Sequence, residues 1–221
     1  MNSYIRLTSF LLLIVCAMIV TACKPKFVIG TEQTFAIDVP RSETGNAVNV
    51  TLDMAVPQGA LALAGEAEGL IEGKITYNAM EYEPVMTNND GALLIRQAEP
   101  GPKSVVVSVQ KNLVNQWDLS LGGAPMNLEI KFVNGEYTIE FAESIPIDFN
   151  ATVNAGVGKV KLILDPDLVA KIKIGEHTDL LEITTRGDWI QSGDAYQAGA
   201  GSAALTIIVN MRGGELNLDN K

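Results

Sequence analysis

Residues 128–141, LEIKFVNGEYTIEF, decide the fold of this chain. Apolar side chains alternate with polar ones on both sides of Asn134-Gly135. This alternation is typical of two strands that each bury one face and that meet at a glycine turn. Similar strand–glycine–strand units surround Gly156, Gly175 and Gly213.

The spacing of these units predicts how they assemble. The first three turn glycines follow one another at intervals of about 20 residues, within the range of stacked repeat arrays. A single unit cannot cover its own apolar face, so neighbouring units must stack to form a core. The interval from Gly175 to Gly213 is much longer, and residues 186–202 account for the excess. We therefore predict an all-β fold, a stacked β-solenoid or a closely related array.

The N-terminal half shows the same alternation less regularly. It is clearest in residues 48–52, and residues 86–97 are predicted to form a hairpin that turns at Asp90-Gly91. Proline and glycine interrupt the pattern at residues 99–102, and residues 104–110 resume it as SVVVSVQ. No stretch of this half has the periodicity of an amphipathic helix.

The N-terminus carries the features of an export signal. Arg6 precedes an apolar stretch over residues 7–20, which is shorter than the about 20 residues that a membrane-spanning helix needs. Val20-Thr21-Ala22-Cys23 closes the stretch and resembles the lipobox of bacterial lipoproteins. We therefore expect a signal helix cleaved between Ala22 and Cys23, a diacylglyceryl group on the Cys23 sulfur and an acyl chain such as palmitate on its amine. An ordinary signal peptide and an uncleaved anchor are the alternatives.

Lipidation would fix the location of the protein. Two or more acyl chains anchor a protein stably, so the first predicted partner is a lipid bilayer, bound through acylated Cys23 on the extracytoplasmic side. Lys24, rather than an aspartate, follows the cysteine. In a two-membrane bacterium this resembles lipoproteins released to the outer membrane. In a one-membrane bacterium it implies the outer leaflet of the cell membrane.

Residues 115–121, NQWDLSL, followed by Pro125 and by the glycine-turn units, resemble the bacterial toast-rack family. The LALAG segment at residues 61–65 and the KITYN segment at residues 74–78 resemble the start of that family's first domain. The resemblance covers residues 46–218 and implies a toast-rack array, with strands stacked like slices in a rack. It implies no catalytic residues, because the family is a domain of unknown function. Similar racks occur in lipoproteins, in candidate adhesins and in membrane proteins that respond to cell-wall stress.

These observations divide the chain into four parts. Residues 1–22 are the predicted signal peptide, and residues 23–45 are the predicted lipidated N-terminus and tether, with a short strand-like piece at residues 34–37. Residues 46–112 are the predicted N-terminal toast-rack subdomain, and residues 113–221 the predicted C-terminal solenoid repeats.

The composition excludes several classes of function. The sequence has a net charge of −10, which disfavours binding of the folded body to nucleic acid or to anionic lipid. Cys16 lies in the predicted signal and Cys23 is the predicted lipid site, so the mature chain has no cysteine for a disulfide, a nucleophile or a metal site. His177 is the only histidine and adjoins a predicted turn. We therefore expect no metal, no cofactor and no enzymatic activity.

Three further features are given structural roles. Asp165-Pro166-Asp167 has half of the ligands of a calcium site, but no glycine-rich calcium repeat accompanies it, and it is interpreted as a turn. Gly156-Val157-Gly158-Lys159 lacks the spacing and the Ser or Thr of a phosphate-binding loop and is also interpreted as a turn between strands. Trp117 is assigned to the core or to the junction of the two halves.

The candidate binding site is the long segment over residues 186–202. It contains Asp188, Trp189, Asp194 and Tyr196 among several glycines. Long loops on a rigid scaffold often bind partners, and Trp and Tyr often dominate the binding energy of an interface. The alternative is a lid that shields the open edge of the solenoid from pairing with other strands.

The predicted function is that of a non-enzymatic, membrane-anchored surface lipoprotein. It would act as an envelope scaffold or as an adhesin-like interaction module, with an envelope protein or cell-wall glycan as its partner. A sensor or regulator of cell-envelope stress is the first alternative. A solenoid that binds or acts on polysaccharide is the second.

Overall fold

The computed structural model describes residues 29–41, 47–89, 91–97, 111–142, 144–145, 149–201, 203 and 205–220. The predicted signal helix, Cys23 and the predicted strand over residues 104–110 lie outside these residues. The described part is all-β as predicted, with fifteen strands and one short 3-10 helix at Met80–Tyr82. In chain order the strands are β1 (Ile29–Val39), β2 (Val48–Met54), β3 (Gln58–Ala64), β4 (Ile71–Ala79), β5 (Pro84–Asn89), β6 (Ala92–Gln97), β7 (Asn115–Leu121), β8 (Met126–Phe132), β9 (Gly135–Phe141), β10 (Phe149–Leu164), β11 (Ala170–His177), β12 (Leu181–Arg186), β13 (Trp189–Ser192), β14 (Ala195–Ala198) and β15 (Leu205–Asn220).

The strands form one branched sheet with two wings. The first wing has the order β5-β6-β2-β8-β10-β15-β11-β14-β13, and the second has the order β1-β4-β7-β3-β9-β10-β15-β12. β10 and β15 belong to both wings, because their first halves pair in the first wing and their second halves pair in the second. The buried apolar side chains of both wings form one core cluster, so the inner faces of the wings pack against each other.

The chain passes from the first wing to the second along one edge, which we call the corner ridge. The structure describes five of the crossing segments in full, and the ridge consists of one residue from each of them: Pro57, Asn134, Val157, Leu180 and Gly213. The predicted turn at Asn134-Gly135 lies on this ridge. The turn predicted at Gly156–Lys159 is wrong, because these residues lie inside the continuous strand β10. In β10 and β15 the strand bends across the ridge without ending.

Three glycines lie side by side where the second wing begins. Gly158 pairs with Gly135 on one side and with Gly214 on the other. A Cβ atom on Gly158 would lie 1.9 Å from the carbonyl oxygen of Gly135, and one on Gly214 would lie 2.0 Å from the carbonyl oxygen of Gly158. Glycine is therefore required for the close approach of the strands, and at Gly214, with φ of 104°, also for the backbone conformation.

The units of the array do not stack in chain order. β15 lies between β10 and the β11–β12 unit and pairs in parallel with all three strands. The last unit of the sequence is thus inserted between the two units that precede it. The stacked array is confirmed, but a simple solenoid winding would have placed β15 at the end, where β11 and β12 lie instead.

A buried polar network surrounds Trp117, which is fully buried in the core as predicted. The Trp117 Nε1–H and the Gln97 side-chain amide each donate a hydrogen bond of 2.9 Å to Asn115 Oδ1. Asn115 Nδ2 in turn donates to the carbonyl oxygen of Gln58 at 3.0 Å. Strands from both predicted subdomains meet here, because β7 pairs with β3 and β4. The two predicted subdomains are parts of one packed body.

The predicted tether is corrected by the structure over residues 29–39, which form strand β1. β1 pairs antiparallel with β4 along most of its length. Its last alternating side chains, Ile37 and Val39, are buried in the core. Burial of these side chains and pairing of the backbone stabilise the segment as a strand, and the strand-like piece at residues 34–37 is only its middle.

Candidate functional site

Within the segment over residues 186–202, residues 189–198 form a β-hairpin rather than a loop. β13 and β14 pair antiparallel, and β14 pairs antiparallel with β11, from Ala170–Ala198 to Lys173–Ala195. The hairpin therefore extends the first wing by two strands. β14 covers the edge of β11, which is the geometry that the lid interpretation requires, and β13 becomes the terminal strand. The strands are only four residues long and are separated by glycines, so alternation could not identify them.

The four residues predicted for this site do not share one surface. Tyr196 points to the inner face of the wing and is 8% exposed. Trp189 is half-buried, packs against the core cluster and donates its Nε1–H to the carbonyl oxygen of Arg186 at 3.0 Å. Asp188 and Asp194 are exposed. The two aromatic side chains thus support the hairpin from inside, and only the two aspartates face solvent.

The exposed apolar residue of the hairpin is Ile190. Its side chain lies on the outer face of β13 and is 65% exposed. β13 pairs with β14 on one side, and no strand of the described chain pairs with its other side. Its sequence, WIQS, contains no charge. We call β13 with the exposed Ile190 the hairpin edge.

The terminal strand of the second wing differs from the hairpin edge. β12 also has one strand partner in the described chain, β15, but it carries Glu182 and Arg186. Charged side chains on a terminal strand oppose pairing with other chains. The hairpin edge lacks this protection, so it is a better site than β12 for the addition of a strand. β5, the terminal strand at the other end of the first wing, is uncharged as well, but it begins with Pro84, whose nitrogen cannot donate a hydrogen bond to an added strand. Sequence analysis missed Ile190, because one isoleucine in a glycine-rich segment gives no periodic signal.

The outer face of the second wing carries paired charges. Lys159 and Glu215 are 3.0 Å apart, and Lys161 and Asp219 are 3.0 Å apart. The hydrogen bond that the Lys159 ammonium donates to Glu215 raises the pKa of Lys159 above its ordinary value. These pairs link β10 to β15, so they are neutralised within the sheet and do not form a charged surface for a ligand.

A shallow trough runs over β3 on the same face. It widens into two depressions of about 440 and 560 Å³, because the outward side chains of β3 are the small Ala60, Ala62 and Ala64. Asp118 and Glu140 stand on its two sides. The trough is open and has no convergent set of buried polar groups. It is therefore a consequence of small side chains and not the candidate site.

The other residues considered for chemistry have structural positions. His177 is exposed, and its Nδ1 lies 2.9 Å from the carbonyl oxygen of Gly175. The backbone N–H of Asp167 donates to Asp165 Oδ1 at 3.0 Å, which is the hydrogen bond of the predicted turn. In the described ranges no three metal-ligating side chains come together. Over those same residues we find no helix with the length and apolarity to cross a membrane.

The sequence matches a known family, and the fold is similar to that of a solved structure. The model of a family described as the N-terminal domain of toast_rack, DUF2154, matches residues 28–175. A crystal structure of a candidate cell adhesion protein from Clostridium sporogenes is similar over 86% of this chain and 99% of its own, with 19% identity and a TM-score of 0.53. A candidate lipid-binding protein from Parabacteroides distasonis aligns over 85% of this chain and 97% of its own, with 11% identity and a TM-score of 0.24. No curated protein matches the sequence.

Proposed function

Because the chain belongs to the toast-rack family, we propose that it is a lipid-anchored, non-enzymatic interaction module of the bacterial envelope. We place its docking site at the hairpin edge. The observation that carries this proposal is the uncharged terminal strand β13 with Ile190 exposed at the end of a rigid sheet. An extended segment of a partner protein would pair with the backbone of β13 and cover Ile190.

The burial of the aromatic side chains favours a protein partner over cell-wall glycan. Sugars bind to aromatic rings that expose a face, but each aromatic side chain whose burial the structure describes is buried or half-buried. Trp189, the aromatic residue of the hairpin edge itself, packs against the core. A partner strand needs only backbone groups and small apolar contacts, both of which β13 supplies.

The anchor in this proposal is Cys23, which lies outside the described residues. Cys23→Ser should prevent acylation and leave an unprocessed or soluble form, which cell fractionation and labelling with a palmitate analogue would detect. A mutant that remains in the membrane at the size of the mature protein would contradict lipid anchoring.

Docking at the hairpin edge is tested by a charge placed on it. A photo-reactive amino acid at Ser192 should crosslink to a discrete partner in cells. Ile190→Lys should abolish this product, because a charge on a terminal strand opposes strand addition. Ile208→Lys is the matched control: Ile208 lies on the outer face of the same wing, but in the interior strand β15. Equal crosslinking in both lysine variants would refute the docking site.

A further inference from the structure

We propose that the corner ridge lies against the lipid surface, with Val157 and Leu180 inserted into the interface. This inference rests on the proposed lipid anchoring at Cys23, and it adds an orientation and a second membrane contact. Three observations carry it: the point at which the described chain begins, the exposed apolar residues on the ridge, and the dimensions of the second wing.

The described chain begins on the side of the second wing where the ridge lies. β7 runs parallel to β3, and both strands start beside the ridge. Tyr77 of β4 pairs with Asn115, the first residue of β7. Ile29 pairs with Ala79, two residues beyond Tyr77 in the direction of the ridge. The strand that follows the predicted anchor therefore enters the second wing from the ridge side.

The length of chain before Ile29 limits its distance from the membrane. Residues 24–28 separate Cys23 from Ile29. Even a fully extended segment of this length reaches only about 20 Å. An acylated Cys23 would thus hold the ridge end of β1 close to the bilayer, whereas the opposite end of β1, at Val39, faces away.

Four of the eight large apolar side chains that are exposed among the described residues lie along this edge. Leu180 is 78% exposed and Val157 is 53% exposed, and they lie on either side of Gly213. Ile29 and Met80, at the β1 end of the same edge, are exposed as well. Scattered single apolar residues are normal on a protein surface, but a row of them along one edge marks an interaction site.

Leu180 is held outward by the backbone around it. Thr178 Oγ1 donates to the carbonyl oxygen of Arg212, and the Gly214 N–H donates to the carbonyl oxygen of Leu180 at 3.0 Å. These bonds fix the segment without any contribution from the Leu180 side chain. The fold therefore does not require an apolar residue at this position, whereas shallow insertion into a bilayer does.

The edge of the second wing that contains the ridge is long enough to give two separate membrane contacts. Seven strand spacings of about 4.8 Å separate β1 from β12, so the start of β1 and Leu180 lie about 34 Å apart along this edge. The anchor would hold one end, and Leu180 lies at the other. Contact at both ends would lay the array on its edge and turn Ile190, near the opposite end of the first wing, away from the lipid.

The orientation is tested with dyes at matched positions. Leu180→Cys and Ile190→Cys are introduced into the full chain, in which Cys23 is acylated, and are labelled with a thiol-reactive dye. The proteins are reconstituted in vesicles of zwitterionic phosphatidylcholine with nitroxide-labelled acyl chains, because the net charge of −10 opposes contact with anionic lipid. We expect the dye at position 180 to be quenched at least about twofold more strongly than the dye at position 190. Adding Val157→Asp, at an exposed position outside the core, should reduce the quenching at position 180.

Each outcome has one meaning. Equal quenching at both positions in an acylated, membrane-bound protein would overturn the orientation and leave the anchor intact. A second copy would be the occupant of the ridge if unlabelled Leu180→Cys formed a disulfide-linked dimer and the dye at position 180 of the labelled protein were not quenched. This result would also overturn the orientation. Absence of palmitate incorporation, measured before reconstitution, would refute the anchor and this inference with it.

Discussion

Gly158→Ala tests whether the row of corner glycines sets the spacing of the array. The new Cβ would lie 1.9 Å from the carbonyl oxygen of Gly135, which is roughly 1 Å closer than Cβ atoms are found in real structures. β9 cannot move away from the new methyl group, because Gly135 lies equally close to Pro57 on its other side. β10 cannot shift towards β15, because Gly214 lies equally close to Gly158. Relief of the contact therefore requires that β10 separate from β9 at the ridge.

The expected cost follows from this geometry. Overpacking of a site that cannot relax destabilises a protein by about 3 kcal/mol. For a chain of this size each kcal/mol lowers the melting temperature by about 2–4 °C, so we expect a decrease of about 6–12 °C. Thermal unfolding of the purified full chain in detergent, followed by circular dichroism, measures it.

Gly123→Ala is the matched control. No atom lies within 4 Å of a Cβ placed on Gly123, and its backbone is not in the left-handed region. Its melting temperature should stay within about 2 °C of the wild type. If Gly158→Ala melts at the same temperature as Gly123→Ala, then the close approach of the corner strands does not determine stability and the reasoning is refuted.

Three further predictions concern buried polar groups. Asn115→Ala leaves the buried donors of Gln97 and Trp117 without their acceptor and should cost about 2–4 kcal/mol in urea unfolding, whereas an unchanged midpoint would exclude the network as a source of stability. Tyr137→Phe removes the hydroxyl that donates to the carbonyl oxygen of Val56 and should cost about 1 kcal/mol at neutral pH. Burial raises the pKa of Tyr137 above its usual value. The stabilisation by the protonated hydroxyl is therefore present below pH about 10 and is lost as the pH rises further. Urea midpoints at alkaline pH should fall less in Tyr137→Phe than in the wild type. Lys161→Ala removes a partner of the buried Asp219 carboxylate and should lower the free energy of unfolding by about 1–2 kcal/mol. Lys159→Ala should lower it less, because its partner Glu215 is exposed. The reverse order of urea midpoints would contradict the role of burial.

Alternation identified the strand-rich part of the fold but not the order of its units. Leu128, Val153 and Ile172 all belong to inward-facing rows with the same period, so each unit offers its neighbours a similar apolar face. Local sequence therefore carries little information about which unit lies beside which. The insertion of β15 between β10 and β11 is decided by long-range packing, which a period of two residues does not report.

Composition drew attention to a segment but could not assign its side chains to a face. Within residues 186–202, Tyr196 and Trp189 face inward because they belong to a short hairpin on β11. The residue type alone could not reveal which face of such a hairpin is buried. The exposed residue, Ile190, became visible only with the register of β13 and β14. The lipid site at Cys23 lies outside the described residues and stays a prediction.

The position of β15 makes one end of the array depend on a strand that is translated after the strands it holds. In the described chain β11 and β12 pair with β15 and not with β10, so the end of the array that carries the hairpin has no strand to join until residues 205–220 are available. Assembly from the N-terminal side would therefore pause after β10, at the edge that β15 occupies in the complete array. A chain truncated before β15 would lose β11, β12 and the hairpin from the array at once, so the proposed docking surface would form only after residues 205–220 have been synthesised.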